Sequence, residues 1–164
     1  MPFPIFAMKK PYPSEEEINQ EQMKKLLQFI ETSQSESVKE SLFGQLGREC
    51  FQVRKLDRWL ESYSGDGQAF LDRVNLQKAD KYWERLEFTE DAKTLVLTGR
   101  KVQRCACRFA DCPQPPLSLC HYCCKSFQQE FFRRLLGREV EVKITASFLL
   151  GDDRCSTEIY LVDE

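Results

Sequence analysis

The sequence predicts an α+β fold in which helices come first and an antiparallel sheet follows. Helical spacing of apolar residues extends over residues 14–63, whereas strand-like alternation begins only after residue 81. A long helix that carries cysteines then precedes a final hairpin. Helices and strands that occupy separate parts of a chain are typical of α+β domains.

Two amphipathic helices are predicted at the start. Ser14 and Glu17 form a capping box, and the apolar residues that follow predict a first helix over residues 14–32. Serines within residues 35–37 provide a second cap, after which apolar residues again recur at helical spacing. The second helix weakens near Gly44, and its end is expected to be a loop or a break.

The predicted break lies at residues 47–50, where Gly47 interrupts the helical pattern. A third helix is predicted over residues 51–63 because its apolar residues share one face, and it should end at the turn-forming segment 64–67. A short fourth helix is expected within residues 69–76. Helices thus precede every predicted strand.

The next segments alternate with the period of a strand. Residues 81–88 and 94–98 predict an antiparallel hairpin. Residues 101–107 are expected to form a third strand. Because side chains alternate along a strand, Cys105 and Cys107 would then lie on the same face.

A long helix is predicted after the proline-rich segment 113–116, with Ser118 as its cap, Leu136 as its last residue and Gly137 in the C′ position. Unpaired N–H groups and the helix dipole at its start favour thiolates. One stripe of this helix should contain Cys120, Cys124, Phe127, Phe131 and Leu135, with Cys123 at its margin.

A half-buried hairpin is predicted to close the chain. Residues 140–148 alternate between apolar and charged, Gly151–Asp153 predicts a turn, and residues 155–161 alternate again. Cys155 shares its face with Ile159 and should therefore point toward the core.

Length and charge restrict the class of protein. The 164 residues suit a single domain, with an extended lead at 1–13, a mainly helical part at 14–79 and a sheet with the long helix at 80–164. The net charge of −2, with both signs mixed, predicts neither a nucleic-acid partner nor a membrane partner. No signal peptide or apolar span is recognisable, so we expect a cytoplasmic protein.

Cysteines are the most informative residues, because six of the eight lie between residues 105 and 124. In a reducing compartment such clusters are more often metal ligands or redox thiols than structural disulfides. Zinc is the preferred cofactor, and an iron–sulfur cluster is the alternative cofactor. A further alternative is that no cofactor binds and the cysteines only pack as small apolar residues. The candidate metal ligands are Cys105, Cys107, Cys120, Cys124 and Cys155, with Cys112, Cys123 and His121 ranked below them.

Large aromatic side chains are ordinary core residues, but they also line apolar ligand pockets. The candidate pocket residues are Trp59, Trp83, Phe127, Phe131 and Phe148.

The C-terminal half resembles a known fold family. The motifs CAC, YCC, LLG and GDDRC, within residues 80–162, resemble an uncharacterised cysteine-rich prokaryotic family related to the 4-vinyl-reductase-like ligand-binding domains. The resemblance implies a pocket for a small, often hydrophobic molecule and, in some relatives, a zinc site. By position, Cys155 matches one zinc ligand of those relatives, whereas Ser147 and Ile144 stand where a cysteine and a carboxylate are expected.

Three hypotheses about function follow. The preferred one is a ligand-binding or sensor-type protein with a thiolate-rich zinc or redox centre. The second is a small metal-dependent or thiol-dependent hydrolase, and the third is an accessory interaction protein whose cysteines only pack. A small-molecule ligand is the expected partner. A homodimer is compatible with the sequence, which does not decide the oligomeric state.

Overall fold

The computed structural model describes residues 14–63, 67–76 and 83–162, and it confirms the α+β class with an antiparallel sheet. The predicted lead at 1–13 lies outside the described residues. None of the described helices is long and apolar enough to cross a bilayer. The helices are α1 (Glu15–Ser33), α2 (Glu36–Val53), α3 (Leu56–Leu60), α4 (Gly67–Asn75) and α5 (Lys125–Leu136), and the strands are β1 (Trp83–Phe88), β2 (Thr94–Gly99), β3 (Val140–Ala146) and β4 (Ser156–Leu161).

The predicted capping box starts α1. The backbone N–H of Glu17 donates to Ser14 Oγ at 3.3 Å, and the Glu17 carboxylate accepts from the backbone N–H of Ser14 at 2.7 Å. Each contact satisfies a donor that the first helical turn leaves without a partner.

The predicted break at residues 47–50 is wrong, because α2 continues without interruption to Val53. Gly47 is present for tertiary packing. A Cβ atom placed on it would lie 2.1 Å from the backbone oxygen of Cys123. Glycine therefore allows α2 to cross closely over the segment that carries the cysteines.

The helix predicted over residues 51–63 is divided into two pieces. Its first residues belong to α2, and Lys55 then adopts a left-handed conformation with φ of 54°. The shorter α3 starts immediately afterwards and is followed by a 3₁₀ turn at Glu61–Tyr63. A non-glycine residue with positive φ ends an α-helix, so a new helix axis begins here.

The four strands form one antiparallel sheet in the order β1-β2-β4-β3. Both predicted hairpins are present, and β4 joins them by pairing with β2 and with β3. One face of the sheet carries the aligned buried residues Leu86, Leu97 and Thr157. The opposite face carries charged residues such as Glu158 and Lys143.

The strand predicted over residues 101–107 is wrong. The chain leaves the sheet after Gly99. Its links to the residues before β4 include Gly99 N–H to Cys155 O at 2.8 Å, Val102 N–H to Asp153 O at 3.2 Å and an ion pair between Lys101 and Asp153 at 2.7 Å. The following residues are irregular up to a 3₁₀ turn at Arg108–Ala110. Cys105 and Cys107 therefore lie on a loop and not on a strand face.

Two groups of buried residues hold the elements together. The larger lies between the sheet and helices α2 to α5, and it includes Phe51, Phe70, Phe132 and Ile159. The smaller lies beneath α1 and is built from Leu27, Phe43, Phe109, Leu119 and Cys123. The cysteine-bearing segment lies in the smaller group, beside the start of α5.

Candidate functional site

The long cysteine-bearing helix begins as a π-helix, Leu119–Cys124, and continues as α5. Ser118 makes no capping contact through its side chain, whereas Gly137 has φ of 66° and ends the helix as predicted. Cys120 and Cys123 are both buried within the π-helix, each 5% exposed. Such segments occur frequently at functional sites.

Four cysteines from three segments lie near one another at the start of this helix. Cys105 comes from the loop after β2, Cys120 and Cys124 from the π-helix, and Cys155 directly precedes β4. Negative charge on Cys120 or Cys155 raises the pKa of both Cys105 and Cys124, which shows their proximity. We call these residues the four-thiol cluster.

Hydrogen bonds orient three of these thiols. Ser147 Oγ lies 2.9 Å from Cys120 Sγ, and Gln128 Nε2 donates to Cys124 Sγ at 3.3 Å. The backbone N–H of Cys107 donates to Cys105 Sγ at 3.5 Å. The cluster is therefore surrounded by polar groups and not only by apolar side chains.

Backbone packing holds the fourth member, Cys155. The N–H of Gly99 donates to its carbonyl, and a Cβ atom on Gly99 would lie 2.5 Å from the same oxygen. Glycine at this position allows the end of β2 to approach the residue before β4.

Burial raises the pKa of three clustered thiols, those of Cys105, Cys120 and Cys124. Desolvation raises the pKa of Cys105 to about 11 and that of Cys124 to about 12, and it also raises the pKa of Cys120. The expected preference for thiolates at the helix start is therefore not observed, because desolvation outweighs the favourable end of the helix dipole. In the absence of a bound cation, these thiols are weak nucleophiles.

Among the buried polar atoms that lack a hydrogen-bond partner in the described part of the chain, one lies on α5 and one on β4. Gln128, 8% exposed, donates through its amide nitrogen to Cys124, but its Oε1 accepts no hydrogen bond. Thr157 Oγ1, on the buried face of β4, is also without a partner. Unsatisfied buried oxygens are costly, and they are compatible with a bound group or water nearby.

The four-thiol cluster has the donor chemistry of a zinc site, because zinc accepts four thiolates. Within residues 14–63, 67–76 and 83–162, however, no group of three cysteine, histidine, aspartate or glutamate side chains is arranged to hold a metal ion. The donor types fit zinc, but a ready coordination geometry is not present.

The other candidate ligands have different surroundings. Cys112 lies apart, beside α1, where Gln28 Nε2 donates to its sulfur at 3.7 Å. His121 is exposed and lines a cleft of about 570 Å³ beside β3. Cys107 lies between the four-thiol cluster and a second group of thiols, since its charge raises the pKa of both Cys105 and Cys123.

That second group contains Cys50, which sequence reasoning did not select. Cys50 and Cys123 pack in the same buried group, and the interaction of the two thiols lowers the pKa of Cys50 and raises that of Cys123. Cys50 lies on α2 one helical turn after Gly47, where α2 crosses the π-helix. The spacing from Gly47 is the only sequence signal of this contact.

The predicted pocket residues lie mostly in the core. Trp59, Trp83 and Phe131 contact one another or Phe70 with ring centroids 5.2–6.1 Å apart. Phe127 packs edge to face against the buried ring of Phe51. Phe148 lies in a 3₁₀ turn, outside both groups of buried residues.

No protein-family model matches the chain, and no curated protein matches it significantly. One solved structure that matches is subunit 3 of a trafficking protein particle complex from Naegleria fowleri, covalently bound to palmitic acid. The identity is 14%, the TM-score is 0.49, and the match covers 90% of this chain and 97% of that chain. A likeness at this level identifies neither a family nor a function, and the relation to 4-vinyl-reductase-like domains remains a prediction from the sequence.

Proposed function

We propose that this chain is a metal-responsive, sensor-type protein that binds one zinc ion through the four-thiol cluster. The observation that supports the proposal is the convergence of Cys105, Cys120, Cys124 and Cys155 from three separate segments. Valine or leucine would fill the same space without the risk of oxidation, so four adjacent thiols favour a chemical role.

Zinc would take the place of the thiol protons. A bound zinc ion stabilises thiolates, which removes the cost that desolvation imposes on the free cysteines. Ser147 and Gln128 already contact two of the sulfurs and would orient them as ligands. A thiol-dependent hydrolase that uses the four-thiol cluster receives less support, because a thiol nucleophile needs a low pKa and those of Cys105 and Cys124 are raised.

We expect the purified protein to contain about one zinc ion per chain. Replacing Cys120 or Cys124 by serine should weaken zinc binding by about 100-fold or more, because a closed site loses one of its four thiolates. Elemental analysis of untagged protein and competition with a chromophoric chelator measure both quantities.

Cys112→Ser is the matched control, because Cys112 contacts Gln28 and the Phe109 carbonyl, at a place apart from the cluster. Its zinc content should equal that of the wild type. The proposal would be refuted if the wild-type protein bound no zinc, or if Cys120→Ser and Cys124→Ser both bound zinc with the affinity of the wild type. Packing would then be the role of these thiols.

Exposed apolar side chains favour interaction with a second copy as another candidate role. On α1, Leu26 is 51% exposed and Phe29 is 61% exposed, and both lie on the same side of the helix. Apolar helix faces of this kind are typical of interfaces. We propose homodimerisation through this part of α1.

Light scattering coupled to size-exclusion chromatography tests the interface. Phe29→Glu should shift the wild-type dimer to a monomer, because a carboxylate is costly in an apolar interface. Leu76→Glu, at a 76% exposed position after α4, should leave the dimer intact. A monomeric wild type at high concentration would exclude this role.

A further inference from the structure

The two outer strands of the sheet, β1 and β3, differ in how their free edges are covered. On the side of β1 away from β2, the side-chain amide of Asn75 accepts from the N–H of Leu86 at 2.8 Å and donates to its carbonyl at 2.5 Å. This amide takes the place of a neighbouring strand. Edge groups that are left uncovered can pair with another chain.

The ladder between β3 and β4 shows which backbone groups of β3 face outward. The N–H of Val162 donates to the carbonyl of Glu139 at 3.2 Å, so these residues form a hydrogen-bonded pair. Such pairs alternate along an antiparallel ladder with pairs that are not hydrogen-bonded. The register continues without a bulge through Ile144, so the N–H and C=O groups of Val142 and Ile144 point away from β4.

No described residue covers these outward groups as Asn75 does on β1. In the described part of the chain, β4 is the only strand that pairs with β3, and no side chain bonds to the outward backbone groups of Val142 or Ile144. Both residues line a cleft of about 570 Å³ beside β3. Val142 is 4% exposed, so a partner reaches its backbone only by entering this cleft.

The opposite wall of the cleft is a stripe of the cysteine-bearing helix. His121, Lys125 and Gln129 are spaced by four residues, so they lie on one side of the helix, and all three line the cleft. An extended peptide can add as a further strand to an exposed sheet edge, where its backbone bonds to the edge and its side chains give specificity. The groove between β3 and this helix has the form that such a segment requires.

The charge of the helical wall indicates which kind of segment fits. Within the described residues, Lys125 forms no ion pair, whereas Lys143 on β3 lies 3.9 Å from Glu158. Glu141 is the only described acidic residue that lines the cleft, and strand alternation places it on the face of the sheet away from the helix. The helical wall therefore has a cation that can bind a carboxylate of an incoming segment.

We propose that the groove between β3 and the cysteine-bearing helix binds an extended, acidic peptide segment of another protein as an additional strand. The partner backbone pairs with the outward groups of Val142 and Ile144, and alternate acidic side chains of the partner face Lys125. A second copy of this chain fits less well, because pairing of β3 with β3 would place two helical walls of like charge on the same face of the joined sheet. The proposal depends neither on zinc binding nor on the α1 interface.

Amide hydrogen exchange of the full chain, followed by NMR, tests the free edge first. The N–H groups of Glu141 and Lys143 point toward β4, whereas those of Val142 and Ile144 point outward. The outward pair should therefore exchange faster by about tenfold or more. Equal protection of all four amides would overturn the proposal, because the edge would already be covered.

The probe for binding is a blocked peptide of about seven residues in which glutamate alternates with valine. At saturation it should slow exchange at Val142 and Ile144 by about tenfold or more, because their N–H groups become hydrogen-bonded. A peptide with lysine in place of glutamate tests the charge preference, and a glutamate peptide with an N-methylated backbone tests strand pairing. Neither control peptide should protect these amides.

Variants test the role of the helical wall. Lys125→Glu should weaken binding of the glutamate peptide by about fivefold or more, because an attraction becomes a repulsion. Lys25→Glu makes the same change in net charge at an exposed position of α1 outside the cleft, so its affinity should equal that of the wild type. Circular dichroism shows whether each variant is folded.

Three results would overturn the proposal: no protection of Val142 and Ile144 by the glutamate peptide at millimolar concentration, equal binding of the lysine peptide, or wild-type affinity in Lys125→Glu. Protection of the same amides that grows with protein concentration in the absence of peptide would also overturn it, because the groove would then bind a second copy of the chain.

Discussion

Replacing Gly47 by alanine is expected to destabilise the protein by about 3 kcal/mol. The new methyl group would lie 2.1 Å from the Cys123 backbone oxygen and 3.0 Å from the backbone nitrogen of Phe127. Both atoms belong to the helical backbone and cannot turn away as a side chain can. α2 and the π-helix would have to move apart, which opens the buried group beneath α1.

The intrinsic helix propensity acts in the opposite direction, since alanine is favoured over glycine in a helix by about 1 kcal/mol. Gly44→Ala isolates this effect. A Cβ atom at residue 44 would lie 3.3 Å from Ser126 Oγ, the movable end of a side chain. We expect Gly44→Ala to have unchanged or slightly higher stability, measured for both variants by urea unfolding. Equal stability of the two would show that the close crossing of α2 is absent.

Local signals in the sequence predicted several elements correctly. The Ser14 capping box and the αL conformation of Gly137 each depend on a few adjacent residues, and both are present. The alternation of residues 140–148 likewise identified β3, because half-burial of a strand imposes a period of two. These features need no knowledge of distant contacts.

Errors occurred where a distant segment determines the local structure. Gly47 suggested a break in α2. Glycine is instead required at this position because the backbone of Cys123, far along the chain, lies too close for a side chain. The segment 101–107 resembled a strand, but it is linked to the residues before β4 by the Val102 N–H to Asp153 O hydrogen bond and the Lys101–Asp153 ion pair and not by a ladder of backbone hydrogen bonds. Helix propensity and alternation contain no information about such neighbours.

The candidate site shows the same difference between features that local sequence predicts and features that depend on distant contacts. The cysteine density predicted that thiols would gather near the start of the long helix, and Cys120 and Cys124 lie there. Their pKa depends on burial, which the sequence does not specify, and burial raises the pKa of both thiols in the metal-free chain. Cys50 was missed because its partner and its two arginines come together only in the folded chain.

Replacing Phe131 by alanine should cost about 3–5 kcal/mol of stability. Its ring is 3% exposed and contacts the rings of Trp59, Phe70, Trp83 and Phe132. The substitution removes these contacts and leaves a cavity that rigid aromatic neighbours fill poorly. Thermal and urea unfolding of the variant measure the loss.

Leu76→Ala is the control for an exposed apolar residue, because Leu76 is 76% exposed, lies outside the proposed α1 interface, and its truncation should cost less than about 0.5 kcal/mol. The comparison also decides the role of the aromatic residues at the sheet. If these aromatic residues form a fully packed core, the Phe131→Ala variant should be strongly destabilised, and its native state should gain no affinity for apolar dyes. If they line a pocket for a hydrophobic molecule, the loss of stability in Phe131→Ala should approach that in Leu76→Ala, since a pocket-lining ring has fewer neighbours to lose and an enlarged pocket costs little. A loss of several kcal/mol would therefore place the search for a ligand away from these rings, at the thiols.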